Sequence, residues 1–270
     1  MIKLIACDMD GTLLDSKKRL PQGLLDVLRA LKTRGTAFAV ASGRQYAALR
    51  RDLSDIADDI IFICENGALV MERDKQILID PMPAGVLADV VRAARGLSGV
   101  YPVLCRAQVA LVERDSSQTF LSATMPYYPS LQVVNNLLDY CDSQDVCKVA
   151  FFDEGDAQTH ELPALKERLE GRVSVILSGQ NWVDVMKSGT DKGAAMRGLQ
   201  RSRGLAPEEC MAFGDYLNDC ELLESVGESY AMENAHPQLK RLAKHIAPSN
   251  DEDGVLRVIR ARLLSGEDML

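Results

Sequence analysis

Residues 4–12 read Leu-Ile-Ala-Cys-Asp-Met-Asp-Gly-Thr, an apolar run that ends abruptly in two aspartates and a glycine. The run has the length and composition of a buried strand, and the Asp-Gly cluster marks the turn that follows it. In extended backbone, residues two apart project to the same side, so Asp8 and Asp10 address one site while Met9 points away. Gly11 lets the chain turn tightly directly after them. Two carboxylates ~4 Å apart repel by about 4 kcal/mol at an effective dielectric of about 20, so the pair calls for a cation or a shared proton.

Outward from this stretch the pattern alternates. Leu24, Leu25, Leu28 and Leu31 recur at helical spacing within 22–34, with Gly35 as the C-terminal stop. A strand is expected at 36–41, a helix at 45–53 and a strand at 60–64. Such alternation favours a parallel sheet covered on both faces. Beyond Pro81 and Pro83 the rhythm changes. Helices are expected at 84–97 and 157–170, and strands at 100–105, 108–113, 147–152, 172–177 and 181–186. Strands that follow one another without a helix between them read as an α+β unit inserted into the α/β pattern. The alternation resumes at Asp191 with a helix to about Arg203, a strand at 210–214, a helix near 217–224, a strand near 229–232 and a last helix from about Asp251. Residues 265–270 read as a loose tail.

Composition bounds the function. The chain has 270 residues, 47% of them hydrophobic and 26% charged, which suits a folded protein of about two domains. A net charge of -8 argues against a nucleic-acid partner, which requires a basic surface. Residues 1–7 are too short for a secretory h-region and no apolar run is long enough to span a bilayer, so a cytoplasmic protein with no membrane partner is expected. The seven cysteines form no CxxC pair, and the three histidines, His160, His236 and His245, are scattered, which disfavours zinc.

A second acidic cluster, Gly214-Asp215-Tyr216-Leu217-Asn218-Asp219, again follows an apolar strand. A helix starting after Asp215 places Asn218 and Asp219 on its side. In open parallel sheets, ligands bind beyond the carboxyl ends of the strands, where the two clusters would meet. Ser42, Gly43 and Arg44 add a hydroxyl, open backbone amides and a cation at another strand end, and Lys192 opens a helix after Gly189 and Thr190. Hydroxyl, amides and cations facing carboxylates suit a phosphoryl group, and oxygen ligands beside a phosphate suit Mg2+. Each motif alone also has a bland reading: a solvated Asx turn, a loop, a helix cap, or a calcium-type loop for the second cluster. What stands out is their occurrence in order, each where strand meets helix.

Taken together the motifs resemble the haloacid dehalogenase superfamily, in its Cof-like phosphatase branch with a type IIB cap. The resemblance spans nearly the whole chain and extends to Glu65-Asn66-Gly67-Ala68, residues 182–193, Ala231-Met232-Glu233-Asn234-Ala235 and the stretch Asn250 to Val255. It implies a Rossmann-like doubly wound parallel sheet core over 1–83 and 188–270, with an inserted α+β cap at 84–187 that selects the substrate. It implies a Mg2+-dependent phosphatase acting on small phosphorylated metabolites. Asp8 would be the nucleophile that becomes an aspartyl phosphate, and Asp10 would protonate the leaving oxygen and then activate water. The metal would be held by Asp8, the Asp10 backbone carbonyl and Asp215, with Asp219 as a further or water-mediated ligand. Ser42 and Lys192 would bind phosphoryl oxygens, and Gly43, Arg44, Asn66 and Asn218 complete the phosphate and substrate contacts.

Two departures stand out: Glu233 where the branch often has glycine, and Ser42 in place of the commoner threonine. Sugar phosphates lead as substrate class, with flavin mononucleotide and pyridoxal phosphate as competitors. Arg106, Lys148, His160 and Trp182 read as packing or surface residues of the cap. A sugar phosphomutase and a non-catalytic phosphometabolite-binding regulator are the alternatives, and oligomeric state leaves no mark in the sequence. An ion pump with aspartyl-phosphate chemistry is excluded, since it requires membrane spans.

Overall fold

A computed structural model describes residues 1–169 and 171–264, so the expected tail at 265–270 and the last residue of the expected 157–170 helix lie outside the described residues. The chain begins β1 (Leu4–Asp8), α1 (Leu24–Thr33), β2 (Ala37–Ala41), α2 (Tyr46–Asp52), β3 (Ile61–Cys64), β4 (Leu69–Glu72) and β5 (Lys75–Ile79). It continues through α3 (Ala84–Ala94), β6 (Val100–Arg106), β7 (Ala110–Glu113), α4 (Gln118–Thr124), β8 (Leu131–Val134), β9 (Val146–Asp153), α5 (Glu161–Leu169), β10 (Ser174–Gly179) and β11 (Trp182–Met186). It closes with α6 (Lys192–Arg203), β12 (Cys210–Gly214), α7 (Cys220–Glu224), β13 (Glu228–Met232), α8 (Pro237–Leu242), β14 (His245–Ala247) and α9 (Gly254–Leu263).

Two compact units result. The first holds Met1–Gly43, Leu53–Leu78 and Asp191–Leu270, and the second Arg44–Asp52 and Ile79–Thr190. In the first, eight strands form one sheet in the order β14-β13-β12-β1-β2-β3-β4-β5. The pairs from β14 to β3 are parallel and β3 meets β4 antiparallel. From β1 the chain winds outward one way through β2 and β3, then returns to build β12, β13 and β14 on the other side. The order therefore reverses between β1 and β12, which makes this a doubly wound sheet with its switch point beside Asp8. Both strands are buried along their whole length, as expected when helices cover both faces.

Sequence reading missed the β4–β5 hairpin. Its turn is Arg73-Asp74, both at positive φ (47° and 61°), the backbone of a two-residue turn built without the glycine or asparagine that usually signals one.

The second unit is a six-stranded sheet in the order β10-β11-β9-β6-β7-β8, antiparallel apart from the parallel β7–β8 pair. One face packs under α3 and α5 through Leu87, Val91, Leu104, Phe151, Leu165 and Val183. The other carries α4, where Phe120 stacks on Tyr101 at 5.1 Å between ring centroids and Trp182 meets Phe152 edge-on at 5.1 Å. Ser117 caps α4 by accepting from the Phe120 amide at 3.1 Å. That helix and β8 escaped the sequence reading because each is short, and α4 carries polar residues over more than half its length. Asp80 binds both Lys187 and Thr190, the latter at 2.6 Å, so the two chain passages that bound the insertion are tied to each other. Lys148 is not a surface residue: it forms a buried ion pair with Asp184 at 3.0 Å.

Helix α5 starts at Glu161, later than expected, because 156–160 is spent in turns whose amides donate to Asp156. Glu161 is fully buried and neither carboxyl oxygen has a hydrogen-bond partner among the described residues. Burial, reinforced by Asp153 and Asp184, pushes its pKa up to about 8. An acid with a raised folded-state pKa takes up a proton on folding, so stability falls as pH rises from its unfolded value of about 4.3 toward 8 and is flat above. We therefore expect Glu161→Gln to gain on the parent protein by a few kcal/mol, on the order of the linkage for such a shift, between pH 5 and pH 8.5. Urea unfolding at both pH values checks this, and a pH-independent difference would refute it.

Candidate active site

Three strand ends of the first unit carry the candidate site side chains. Asp8 is the last residue of β1, Ser42 follows β2, and Asp215 follows Gly214, the last residue of β12. One carboxylate oxygen from each of Asp8, Asp215 and Asp219 lies within 4.8 Å of the other two. Asp219 reaches the group through a short 3-10 turn, Leu217–Asp219, that precedes α7, where sequence reading placed the start of the helix. One of its oxygens accepts from the amides of Asp215 at 3.0 Å and Tyr216 at 3.2 Å. Its other oxygen accepts from Lys192 Nζ at 2.7 Å, and the same ammonium donates to Asp8 at 2.5 Å. Thr12 donates to Asp215 at 3.0 Å, a role sequence reading did not give it although it lies in the opening motif.

Close packing makes this convergence possible. Gly11 takes φ 85°, and a Cβ there would stand 2.4 Å from an Asp215 oxygen. A Cβ on Gly214 would stand 2.6 Å from that of Asp219. The turn after β1 is held from outside by two asparagines: Asn234 donates to Gly11 O at 2.8 Å, and Asn250 donates to Leu14 O at 2.8 Å. The Asn250 amide in turn donates to Asn234 at 3.1 Å. Both stand in stretches the sequence resemblance had singled out without a role. Glu233, where glycine was expected, is not among the residues at positive φ, so its turn makes no demand for glycine.

Electrostatics follow from burial. Desolvation and the neighbouring Asp219 push Asp8 well above the usual carboxylate range, against the opposing pull of Lys192. Desolvation also raises Asp215, and the Thr12 hydrogen bond works against it. Burial alone would lower Lys192, but Asp219 and Asp8 outweigh it and hold the ammonium above its ordinary value.

The remaining predicted residues fall in separate places. Ser42 is buried, its amide donates to Ile63 O at 2.8 Å, and its carbonyl accepts from the Asn66 amide at 3.0 Å. Gly43 packs against the Asn66 side chain, and Asn66 itself sits at φ 51°. Asn218 is exposed in the turn beside Asp215. Asp10 is partly exposed and forms an ion pair with Lys18 at 2.8 Å. Arg44 belongs to the second compact unit, where its guanidinium pairs with Asp52 at 3.0 Å.

The sequence profile of the haloacid dehalogenase-like hydrolases matches residues 5–259. The chain belongs to this family. The 5-amino-6-(5-phospho-D-ribitylamino)uracil phosphatase of Escherichia coli (strain K12) is 32% identical over 264 residues, covering 96% of this chain and 95% of that protein. The HMP-PP phosphatase of Klebsiella pneumoniae (strain 342) is 28% identical, over 93% of this chain and 91% of that protein. A solved structure from Streptococcus mutans UA159 superposes with a TM-score of 0.82 at 28% identity, covering 98% of this chain and all of that one. With these relatives the chain is a phosphatase of the haloacid dehalogenase-like family, a hydrolase of phosphoric monoesters. Among the described residues no helix is long and apolar enough to cross a membrane.

Lys192 is bonded to both Asp8 and Asp219. Removing one partner from a buried ionic group costs about 3–5 kcal/mol, because the others stay buried without compensation. Lys192→Met is expected to lose that much at pH 7.5 and less at pH 5, where the stranded carboxylates take up protons more readily. Denaturant midpoints at the two pH values provide the check.

Proposed function

We propose that this protein is a Mg2+-dependent phosphatase that hydrolyses small phosphorylated metabolites, foremost sugar phosphates, through an aspartyl phosphate on Asp8. The observation that carries the reading is the group of buried Asp8, half-buried Asp215 and buried Asp219, with Lys192 bonded to the nucleophile. One ammonium bonds two of these three carboxylates, and Asp8 is pushed up first by burial and then by Asp219 beside it. A hard divalent cation with oxygen ligands fits that donor set. Asp8, the Asp10 carbonyl and Asp215 would hold it, with Asp219 as a further ligand through one oxygen or through water. Bound there, Mg2+ supplies charge neutralisation for phosphoryl oxygens.

The chain's own groups divide the rest. Lys192 fixes the Asp8 carboxylate and offers a positive charge to the phosphoryl group, with the Ser42 hydroxyl as a second donor. Asp8 attacks phosphorus while the ester oxygen leaves with a proton from Asp10. Water then attacks the aspartyl phosphate and gives a proton back to Asp10, which regenerates both carboxyl groups. Asn66, Gly43, Asn218 and Arg44 serve substrate contacts in this reading. A sugar or sugar-alcohol phosphate is favoured because one relative is named for a substrate phosphorylated on a ribityl chain. Seven free cysteines and the acidic composition agree with a cytoplasmic enzyme.

Phosphate release from a panel of sugar phosphates, a ribityl phosphate, flavin mononucleotide and pyridoxal phosphate is expected with Mg2+ and not with a chelator. Asp8→Asn should lower it about a thousandfold or more. Turnover that survives Asp8→Asn would overturn the assignment of the nucleophile. Isomerised sugar phosphate without free phosphate would make the enzyme a mutase.

A further inference from the structure

The ion pair between Lys18 and Asp10 is built by a loop that has little freedom to place it elsewhere. The Asp15 carboxylate accepts the amides of Lys17 at 2.9 Å and Arg19 at 2.8 Å, and it also binds the Arg19 guanidinium at 2.6 Å. The Lys18 amide donates to Asp15 O at 2.9 Å, and the Asp15 amide donates to Arg19 O at 3.0 Å. The Ser16 amide donates to Asp251 at 2.7 Å, which ties the loop to the turn before α9. Within this frame Lys18 takes φ 60°, the left-handed region that a side chain disfavours. Strained backbone persists where the surroundings over-determine it, and such residues gather at functional sites.

An exposed lysine on an exposed aspartate is ordinarily a weak surface pair. Three things distinguish this one: the strained backbone, the loop stapled from both ends, and an acceptor that is the proposed proton carrier. We infer that Lys18 is a positioning residue that holds the Asp10 carboxyl in the orientation from which it exchanges a proton with the leaving-group oxygen. The inference rests on the proposed acid and base role of Asp10. In the first half-reaction the Asp8–phosphorus bond forms, the phosphorus–ester oxygen bond breaks, and that oxygen takes the Asp10 proton. Lys18 acts only by restricting Asp10, so its contribution scales with the leaving group's need for a proton.

The test is pre-steady-state release of the leaving group by parent protein, Lys18→Met, Lys18→Arg, Asp10→Asn and the Asp10→Asn/Lys18→Met double variant. Two substrates are used: an alkyl phosphate from the active panel, and p-nitrophenyl phosphate, whose leaving group needs little protonation. Lys18→Met should slow the alkyl ester about tenfold or more with KM nearly unchanged, and should slow p-nitrophenyl phosphate less than about threefold. Lys18→Arg should restore most of the rate, and the double variant should be no slower than Asp10→Asn alone. Equal losses on both substrates, no loss on the alkyl ester, or an additive double variant would each overturn the assignment. If Asp10→Asn itself leaves the alkyl ester rate intact, the role of Asp10 fails and the inference falls with it. Loss in Asp8→Asn remains a separate readout of the phosphatase reading.

Discussion

Three carboxylates within 4.8 Å of one another, in a place from which water is largely removed, repel strongly, and Lys192 is set against that repulsion from inside the fold. The lysine can do this because it is the first residue of α6, which the Asp191 side chain caps by accepting from the Ala194 amide at 2.6 Å. The helix fixes the origin of the lysine side chain. The long stem then spans from Asp8 at the end of β1 to Asp219 beyond β12, so one ammonium joins the two strands between which the sheet order reverses. Fold and site thus share a single constraint: the switch point must stay narrow enough for one cation to bridge it.

That narrowness is enforced by backbone as much as by charge. Gly11 and Gly214 stand where any side chain would drive into Asp215 or Asp219. Asn234 and Asn250 then hold the carbonyls of the turn after β1, so the loop carrying Asp10 is pinned from outside while Asp8 is pinned from within. Preorganised charge of this kind needs no rearrangement at the moment of reaction, which is the condition under which fixed dipoles and ions contribute most to phosphoryl transfer.

Much of this was legible because the relevant residues sit at strand ends, where a change from apolar run to Asp or Gly is visible locally. Asp8 and Asp215 announce themselves this way, Lys192 by its place at a helix start after Gly189 and Thr190, and the winding of the sheet by the strand and helix alternation. Long-range geometry was not legible. Lys18 looks like any residue of a basic loop until the chain closes it onto Asp10. The same holds for Lys148, whose neighbours in β9 give no sign of the Asp184 partner on β11. Arg73-Asp74 hid a hairpin because it carries neither the glycine nor the asparagine that usually marks such a turn.

The proposed mechanism gives the two aspartates of the opening motif different tasks, and their burial differs in the same sense. The Asp8 side chain is 9% exposed and that of Lys192 1%, whereas that of Asp10 is 35% exposed. A nucleophile gains from a fixed, desolvated position beside its cation, since its work is to attack one atom along one line. A group that gives a proton to a leaving alcohol and takes one from water has to be reached by both, and deep burial would close that path. The cost of exposure is rotational freedom, which a carboxyl at the surface ordinarily keeps. A lysine on a strained, stapled loop, in the role proposed for Lys18, would restrict that freedom without removing access, and so would reconcile two requirements that burial alone sets in opposition.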